Sequence, residues 1–340
     1  MRESGLKQKT EHEATQLVRE TQTGAEKSGD GIDRRNFLSC MAWAGTGLIW
    51  SMVGGVPTSQ LLAQAMKDST ATGKREDFSF VQISDSHIGF NKAANQDVAG
   101  TLKKAIDKIN LVPAGMKAPD FLIHTGDITQ SSKAAEFDTS EQLIKGARVS
   151  DVLYVPGEHD YIDDGVLYKE RFGKGTLGNG WYSHNHKGVH FVGLNNCVQV
   201  DAMGNLGADQ LAWLKSDLAG LSASTPVVVF AHIPLWMVYE KWGWGTQDGA
   251  TALGYLKRFG SVTVLNGHIH QVVQKVEGNV NFHTAMSTAF PQPAPGAAPN
   301  PGPMAVPAGK LESVLGVTRI KVIRGNSSLA VVDSTLAETA

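Results

Sequence analysis

Five short apolar runs in this chain stop at acids and imidazoles, and no other feature restricts its folding as much. Phe80 to Ile83 leads into Ser84-Asp85-Ser86-His87, and Phe121 to Thr125 into Gly126-Asp127. Val152 to Val155 leads into Pro156-Gly157-Glu158-His159-Asp160, Val227 to Ala231 into His232, and Val262 to Leu265 into Asn266-Gly267-His268-Ile269-His270. Short β-branched runs bounded by turn residues read as buried strands. Charge placed at the end of such a strand is costly unless it is paired, hydrogen-bonded or bound to a metal. Together the five ends carry four carboxylates (Asp85, Asp127, Glu158, Asp160) and five imidazoles (His87, His159, His232, His268, His270).

A single histidine at a strand end is ordinarily a satisfied core or capping residue. Five ends with the same habit are different, because clustered carboxylates and imidazoles over a core repel one another or stay undersolvated. A divalent metal resolves the conflict. Oxygen and nitrogen donors without thiolates suit zinc, manganese or iron, and a carboxylate can bridge two such ions about 3.5–4 Å apart.

Between these runs lie amphipathic stretches. Helices are expected near Asn95 to Ile109, at Ala134 to Ala147, and from Gly207 to Leu221, where Leu211, Leu214, Leu218 and Leu221 recur at helical spacing. Further strands are expected at Val189 to Leu194, then at Val272 to Val276, Val280 to His283 and Val317 to Ile323 as a mostly antiparallel continuation. The result is a β-rich sandwich with helices outside. Residues 291–309, PQPAPGAAPNPGPMAVPAG, hold too much proline and glycine for a helix or central strand, and read as a surface insertion placed where it can cover the site.

With 41% hydrophobic and 19% charged residues, the chain can bury a sizeable core. Its formal net charge of -2 supplies no basic field, so nucleic-acid polymers are not expected partners. The N-terminus points to export. Asp33-Arg34-Arg35-Asn36-Phe37-Leu38 precedes an apolar run from Phe37 to Val56, and Ala63-Gln64-Ala65 offers small residues for a signal peptidase. This resembles a twin-arginine signal. The run is broken by Gly45, Gly47, Gly54 and Gly55, so no stable membrane anchor is expected. The expected organisation is a polar leader and signal over 1–65, a linker over 66–77 and one domain over 78–335, delivered to the periplasm by the twin-arginine translocation machinery. Of the two cysteines, Cys40 lies in the segment to be removed, which leaves Cys197 without an internal disulfide partner.

Taken in order, Asp85-x-His87, Gly126-Asp127, Gly157-Glu158-His159-Asp160, His232 and Gly267-His268-x-His270 resemble the metallophosphoesterase superfamily, the calcineurin-like phosphoesterases. No single block is specific, but the five in sequence are. The resemblance implies a four-layer αββα sandwich, an α/β fold of two mixed sheets flanked by helices. It also implies two divalent or trivalent metal ions (Fe, Mn or Zn). Asp85, His87 and His270 would hold one ion, Asp127 would bridge, and Glu158, His232 and His268 would hold the other. His159 corresponds to the family's non-ligand histidine beside the phosphate, acting as a metal-bound hydroxide attacks phosphorus in line.

One position departs from the pattern. The family places asparagine where this chain has Glu158, which adds a negative charge facing an anionic substrate. Three functions therefore stay open at this point: hydrolysis of a small phosphodiester, favoured by the likeness of the QISDSHIG start to phosphodiesterase-like members; a phosphate-scavenging phosphomonoesterase; and a non-catalytic metal-binding or ligand-binding protein. Asp160 orients His159 or caps the next turn. His184-x-His186 reads as a surface loop, His124 and His190 read as buried structural residues, and the aromatics Trp236, Tyr239, Trp242 and Trp244 either grip a leaving group or pack their own loop.

Overall fold

The computed structural model describes residues 77–112, 117–198, 203–323 and 329–338, together with the backbone of a two-stranded antiparallel ribbon, Ser51–Val53 with Val56–Thr58. Apart from this ribbon and Asp77, the leader, signal and linker expected over 1–77 lie outside the described residues. Among the described residues no helix is long and apolar enough to cross a membrane.

From Phe78 onward the elements are β1 (Phe78–Ile83), α1 (Val98–Asn110), β2 (Phe121–His124), α2 (Ala134–Ile144), β3 (Asp151–Tyr154), α3 (Val166–Phe172), β4 (Tyr182–His186) and β5 (Val189–Gly193). There follow α4 (Ala208–Ala219), β6 (Val227–Phe230), α5 (Gly249–Leu256), β7 (Val262–Asn266), β8 (Gln274–Glu277), β9 (Val280–Thr284), β10 (Gly316–Val322) and β11 (Leu329–Thr335). One sheet has the order β11-β10-β1-β2-β3 and the other β8-β9-β7-β6-β5-β4. Both are mixed. Strands β1, β2 and β3 run parallel and β10 antiparallel to β1, while β5, β6, β7 and β9 run parallel with antiparallel β4 and β8 at the edges.

The period-two alternation of the strands divides the core into layers. Phe78, Phe80, Phe121 and Ile123 of the first sheet meet Phe191, Val228, Phe230 and Leu265 of the second. Rings stack there, with Phe80 and Phe121 centroids 5.1 Å apart, and each such side chain removed from water contributes about 1.5–3 kcal/mol. Opposite faces of the same strands take the helices: Val81, Ile83 and Leu122 pack with Leu102, Ile106 and Ile109 of α1, and Val192, Val229 and Val264 pack with Leu214, Leu218, Ala252 and Leu256 of α4 and α5. Helix α1 starts where the Asp97 side chain accepts a hydrogen bond from the Gly100 amide at 2.8 Å. The expected four-layer αββα sandwich is the observed architecture.

Several local expectations are corrected. Tyr182 to His186 is an edge strand paired antiparallel with β5 through a turn at Lys187-Gly188, not a surface loop. The segment after His270 is antiparallel only in part, because β9 joins β7 in parallel. Helices α3 and α5 and strand β11 carry no sequence signal strong enough to be foreseen: α3 has seven residues, and α5 contains Gly249 and Gly254, poor helix formers that burial compensates.

Candidate metal centre

The parallel strands of both sheets end at one edge, where ligands collect in open α/β sheets. The loops there are tied across the sandwich. Gln82 Nε2 donates to Asn266 O at 3.1 Å and the His268 amide lies 3.1 Å from each Asp85 carboxylate oxygen, while within the second sheet the Gly267 amide donates to His232 O at 3.0 Å. Within the first sheet, the Asp85 and His87 amides donate to Gly126 O and Asp127 O at 3.0 and 2.9 Å.

Backbone strain collects at the same place. Asp85, His87, Asp127, His268 and His270 have φ of 53°, 42°, 52°, 70° and 54°. A non-glycine residue in this left-handed region is held at a cost of about 1–3 kcal/mol and persists only where its surroundings leave no alternative. Two motif glycines are explained by crowding: a Cβ on Gly157 would overlap Asp127 Oδ1, and one on Gly267 would overlap Ser84 Oγ.

Ligand atoms of Asp85, His87 and His270 lie within 4.8 Å of one another, as do those of Glu158, His232 and His268. Asp127 joins the two sets, its Oδ2 lying 3.5 Å from His87 Nε2 and 3.4 Å from His232 Nε2. Glu158 reaches both histidines of its set, with Oε2 2.9 Å from His232 Nε2 and Oε1 2.9 Å from His268 Nδ1. All seven residues expected as ligands are thus brought together.

The donor set fits metal ions. His232 Nδ1 donates to Thr125 O at 2.7 Å and His270 Nδ1 donates to Phe290 O at 2.6 Å, which leaves Nε2 of each ring facing inward as the nitrogen a metal would take. His232 Nε2 and Glu158 Oε2 approach closely, yet neither has a hydrogen-bond partner, and His87 Nε2 lies 3.2 Å from His270 Nε2. Buried lone pairs pointed at common points are what cations satisfy.

Electrostatics keep the carboxylates ionised, and although burial opposes it, Asp127 and Glu158 hold His232 well above the ordinary histidine range, so a metal on its Nε2 would displace a proton. Burial favours the neutral form of Asp85, but His270, His232 and His87 outweigh it and hold the carboxyl below its ordinary range. Burial likewise opposes ionisation of Glu158, and His268 and His232 hold it well below its usual value. Burial pushes His87 down to about 3, keeping a neutral donor.

His159 faces the same centre. Its Nδ1 donates to Gln130 O at 2.7 Å, its amide donates to Asp127 Oδ1 at 2.9 Å, and its ring stands edge-on to His87 with centroids 4.9 Å apart. Asp160 does not orient it. The buried Asp160 carboxylate accepts from the Ile128, Thr129 and Gly157 amides at 2.9, 2.8 and 3.1 Å, so it caps the turn and fastens the third motif to the second. Burial, then Asp127, raise it to about 6.

His124, read only as a buried structural residue, holds the ligand loops in register. Its Nδ1 accepts from the Gly126 amide at 3.2 Å, so its Nε2 donates to Ser86 Oγ at 2.7 Å, and Thr288 Oγ1 reaches the same hydroxyl at 3.2 Å. Phe290 was also missed. Its ring packs on His87 and His270 at 4.8 and 4.7 Å, and no spacing rule announces an aromatic twenty residues beyond its partner. The proline-rich insertion starts next to it and stays close: Gln292 Nε2 donates to His268 O, and Gln271 Nε2 to Pro293 O, both at 3.1 Å. In the aromatic loop, Trp236 and Trp244 are buried and pack the loop, whereas Tyr239 and Trp242 remain half-buried.

Residues 78–272, more than half of the 340-residue chain, match the family model described as Calcineurin-like phosphoesterase. The chain belongs to that family. It is therefore a metal-dependent phosphoester hydrolase. Among relatives of this phosphoesterase, a probable glycerophosphodiester phosphodiesterase of Arcobacter nitrofigilis is 26% identical over 227 residues, covering 61% of this chain and 77% of the relative. A cAMP/cGMP dual specificity phosphodiesterase of Mycobacterium tuberculosis is 24% identical over 229 residues, covering 64% and 70%. The crystal structure of a dimetal phosphatase from Danio rerio shares the fold at a TM-score of 0.52 and 14% identity, covering 76% of this chain and 99% of that one.

Proposed function

We propose that this phosphoesterase hydrolyses a small phosphodiester at two metal ions, one held by Asp85, His87 and His270, the other by Glu158, His232 and His268, with Asp127 shared. The inward-facing Nε2 atoms of His232 and His270, set by the carbonyl partners of Nδ1, carry this reading. Oxygen and nitrogen donors favour iron, manganese or zinc. Ions held there would supply charge neutralisation for a phosphoryl group and a lowered pKa for water at neutral pH. The chain's own contribution is positional: Gln130 O fixes the His159 ring with Nε2 free to hold a proton for the departing oxygen, and Phe290 walls the first metal set against water. The diester preference is supported by the activities named for the two relatives. Protein charged with each candidate metal and assayed on matched monoesters and diesters tests it: hydrolysis of monoesters alone contradicts the preference, and no hydrolysis with two ions bound contradicts the site.

Export through the twin-arginine pathway belongs to the same proposal, supported by Arg34-Arg35 ahead of the apolar run. Folded export suits a protein that takes up its metals before crossing. Exchanging Arg34→Lys together with Arg35→Lys is expected to leave folded, metal-bearing protein in the cytoplasm, because an ammonium cannot reproduce the guanidinium's fork of donors. Cell fractionation checks this, and undiminished delivery to the periplasm would count against it.

A further inference from the structure

Each metal set brings one carboxylate and two histidines besides the shared Asp127. Asp85, Asp127 and Glu158 all point into the centre, and their ion pairs among the described residues are with histidines only. A histidine that ligates a metal is neutral, so these carboxylate charges are balanced by the metals alone. The nearby Asp160 carboxylate is already met by three amides and the Thr129 hydroxyl at 2.9 Å. Three carboxylates against two divalent ions leave one net positive charge, and the proton on His159 and the negative charge of an attacking hydroxide cancel. With a neutral amide at position 158 there would be two. A phosphodiester carries one negative charge and a phosphomonoester two, and in a centre screened from water one uncompensated charge changes affinity steeply.

We propose that Glu158 is a specificity-determining residue, biasing this centre toward singly charged phosphodiesters and against doubly charged monoesters. The inference rests on the dimetal reading above, and it places on one side chain a preference otherwise supported only by relatives. The position suits the role: both Glu158 oxygens are 2.9 Å from the second set of histidines, while 28% of the side chain stays exposed to solvent. A carboxylate there also binds its cation more firmly than an amide, so substrate selection and metal retention are coupled through one residue.

The test uses the full mature chain, wild type, Glu158→Asn and Glu158→Gln, each brought to two manganese ions per chain by metal titration. Bis(4-nitrophenyl) phosphate and 4-nitrophenyl phosphate share a leaving group and differ in charge. The ratio of diester to monoester kcat/KM is expected to fall at least tenfold in both variants, chiefly through a rise in monoester turnover. Calorimetry supplies a readout free of catalysis: sulfate, a dianion, is expected to bind the variants at least tenfold more tightly, and dimethyl phosphate, a monoanion, to gain much less. Half-saturation with the second ion is expected to need more free metal in Glu158→Asn. With two ions bound, an unchanged ratio and unchanged sulfate affinity overturn the proposal. So does failure of both variants to take a second ion at any concentration, which would limit Glu158 to metal retention. Tighter sulfate binding by variants of a protein that cleaves only monoesters would uphold the charge effect and sink the phosphodiesterase reading instead.

Discussion

Asp127→Ala is expected to lower phosphoester turnover by more than about 1,000-fold and to leave the protein with fewer than two bound ions. Loss of a partner merely supporting a ligand already costs about 10–100-fold. Asp127 stands closer to the chemistry, because one of its oxygens lies 3.5 Å from a histidine of the first set and 3.4 Å from one of the second. Its other oxygen receives the His159 amide, so its removal also loosens the third motif. Asp127→Asn separates these effects: the amide oxygen can still accept that hydrogen bond, yet it is a neutral donor to the metals. Metal analysis and steady-state rates on both variants, with thermal unfolding to verify folding, make the comparison. A variant that holds two ions and turns over within tenfold of wild type would remove Asp127 from the shared position.

His159→Ala should behave in the opposite way, keeping both ions and losing about 100- to 10,000-fold in turnover, the usual reach of a positioned acid or base. The loss should depend on the leaving group. Esters of alkyl alcohols need a proton on the departing oxygen and should suffer fully, whereas 4-nitrophenyl esters, whose leaving group departs as an anion, should suffer much less. Geometry makes this a sharp test, because His159 also lies within ligand range of His87 and Asp127. If His159→Ala empties part of the centre, the residue is a ligand. The Nδ1 bond to Gln130 O would then set a ligand's tautomer rather than an acid's orientation.

The positive φ at five of the expected ligand positions connects these outcomes to stability. The loops that present the ligands are strained, and contacts such as Asp85 with the His268 amide across the sandwich and His124 with Ser86 within the first sheet hold them. Rigid presentation of this kind favours a metal geometry set by the protein, at the expense of folding free energy.

The fold class and the clustering of the candidate ligands were legible in the sequence because both depend on local pattern. A strand must alternate or run apolar to be buried, and a charge at its end must have a partner, so five runs ending in acids and imidazoles already imply one shared edge and a cation. What lies between those runs was less legible. Tyr182 to His186 has a polar, histidine-rich composition that fits a loop, and it becomes a strand only because the free edge of β5 pairs with it. Short α5 and β11 likewise rest on neighbours rather than on propensity.

Other features belong to the tertiary structure alone. Residue order cannot say that Asp160 spends its carboxylate on three backbone amides or that His124 clamps the turn of another strand, since these pairings need β1, β2 and β3 side by side in one sheet, nor that Phe290 covers the rings of His87 and His270, which meet only when the two sheets stack. Position 158 shows the division most clearly. The sequence by itself determined that a glutamate stands where the family has asparagine. Only the packed structure decided that its two oxygens reach His232 and His268 at 2.9 Å each, because that distance is set by the meeting of β3 with β6 and β7 across the sandwich, which no local rule encodes.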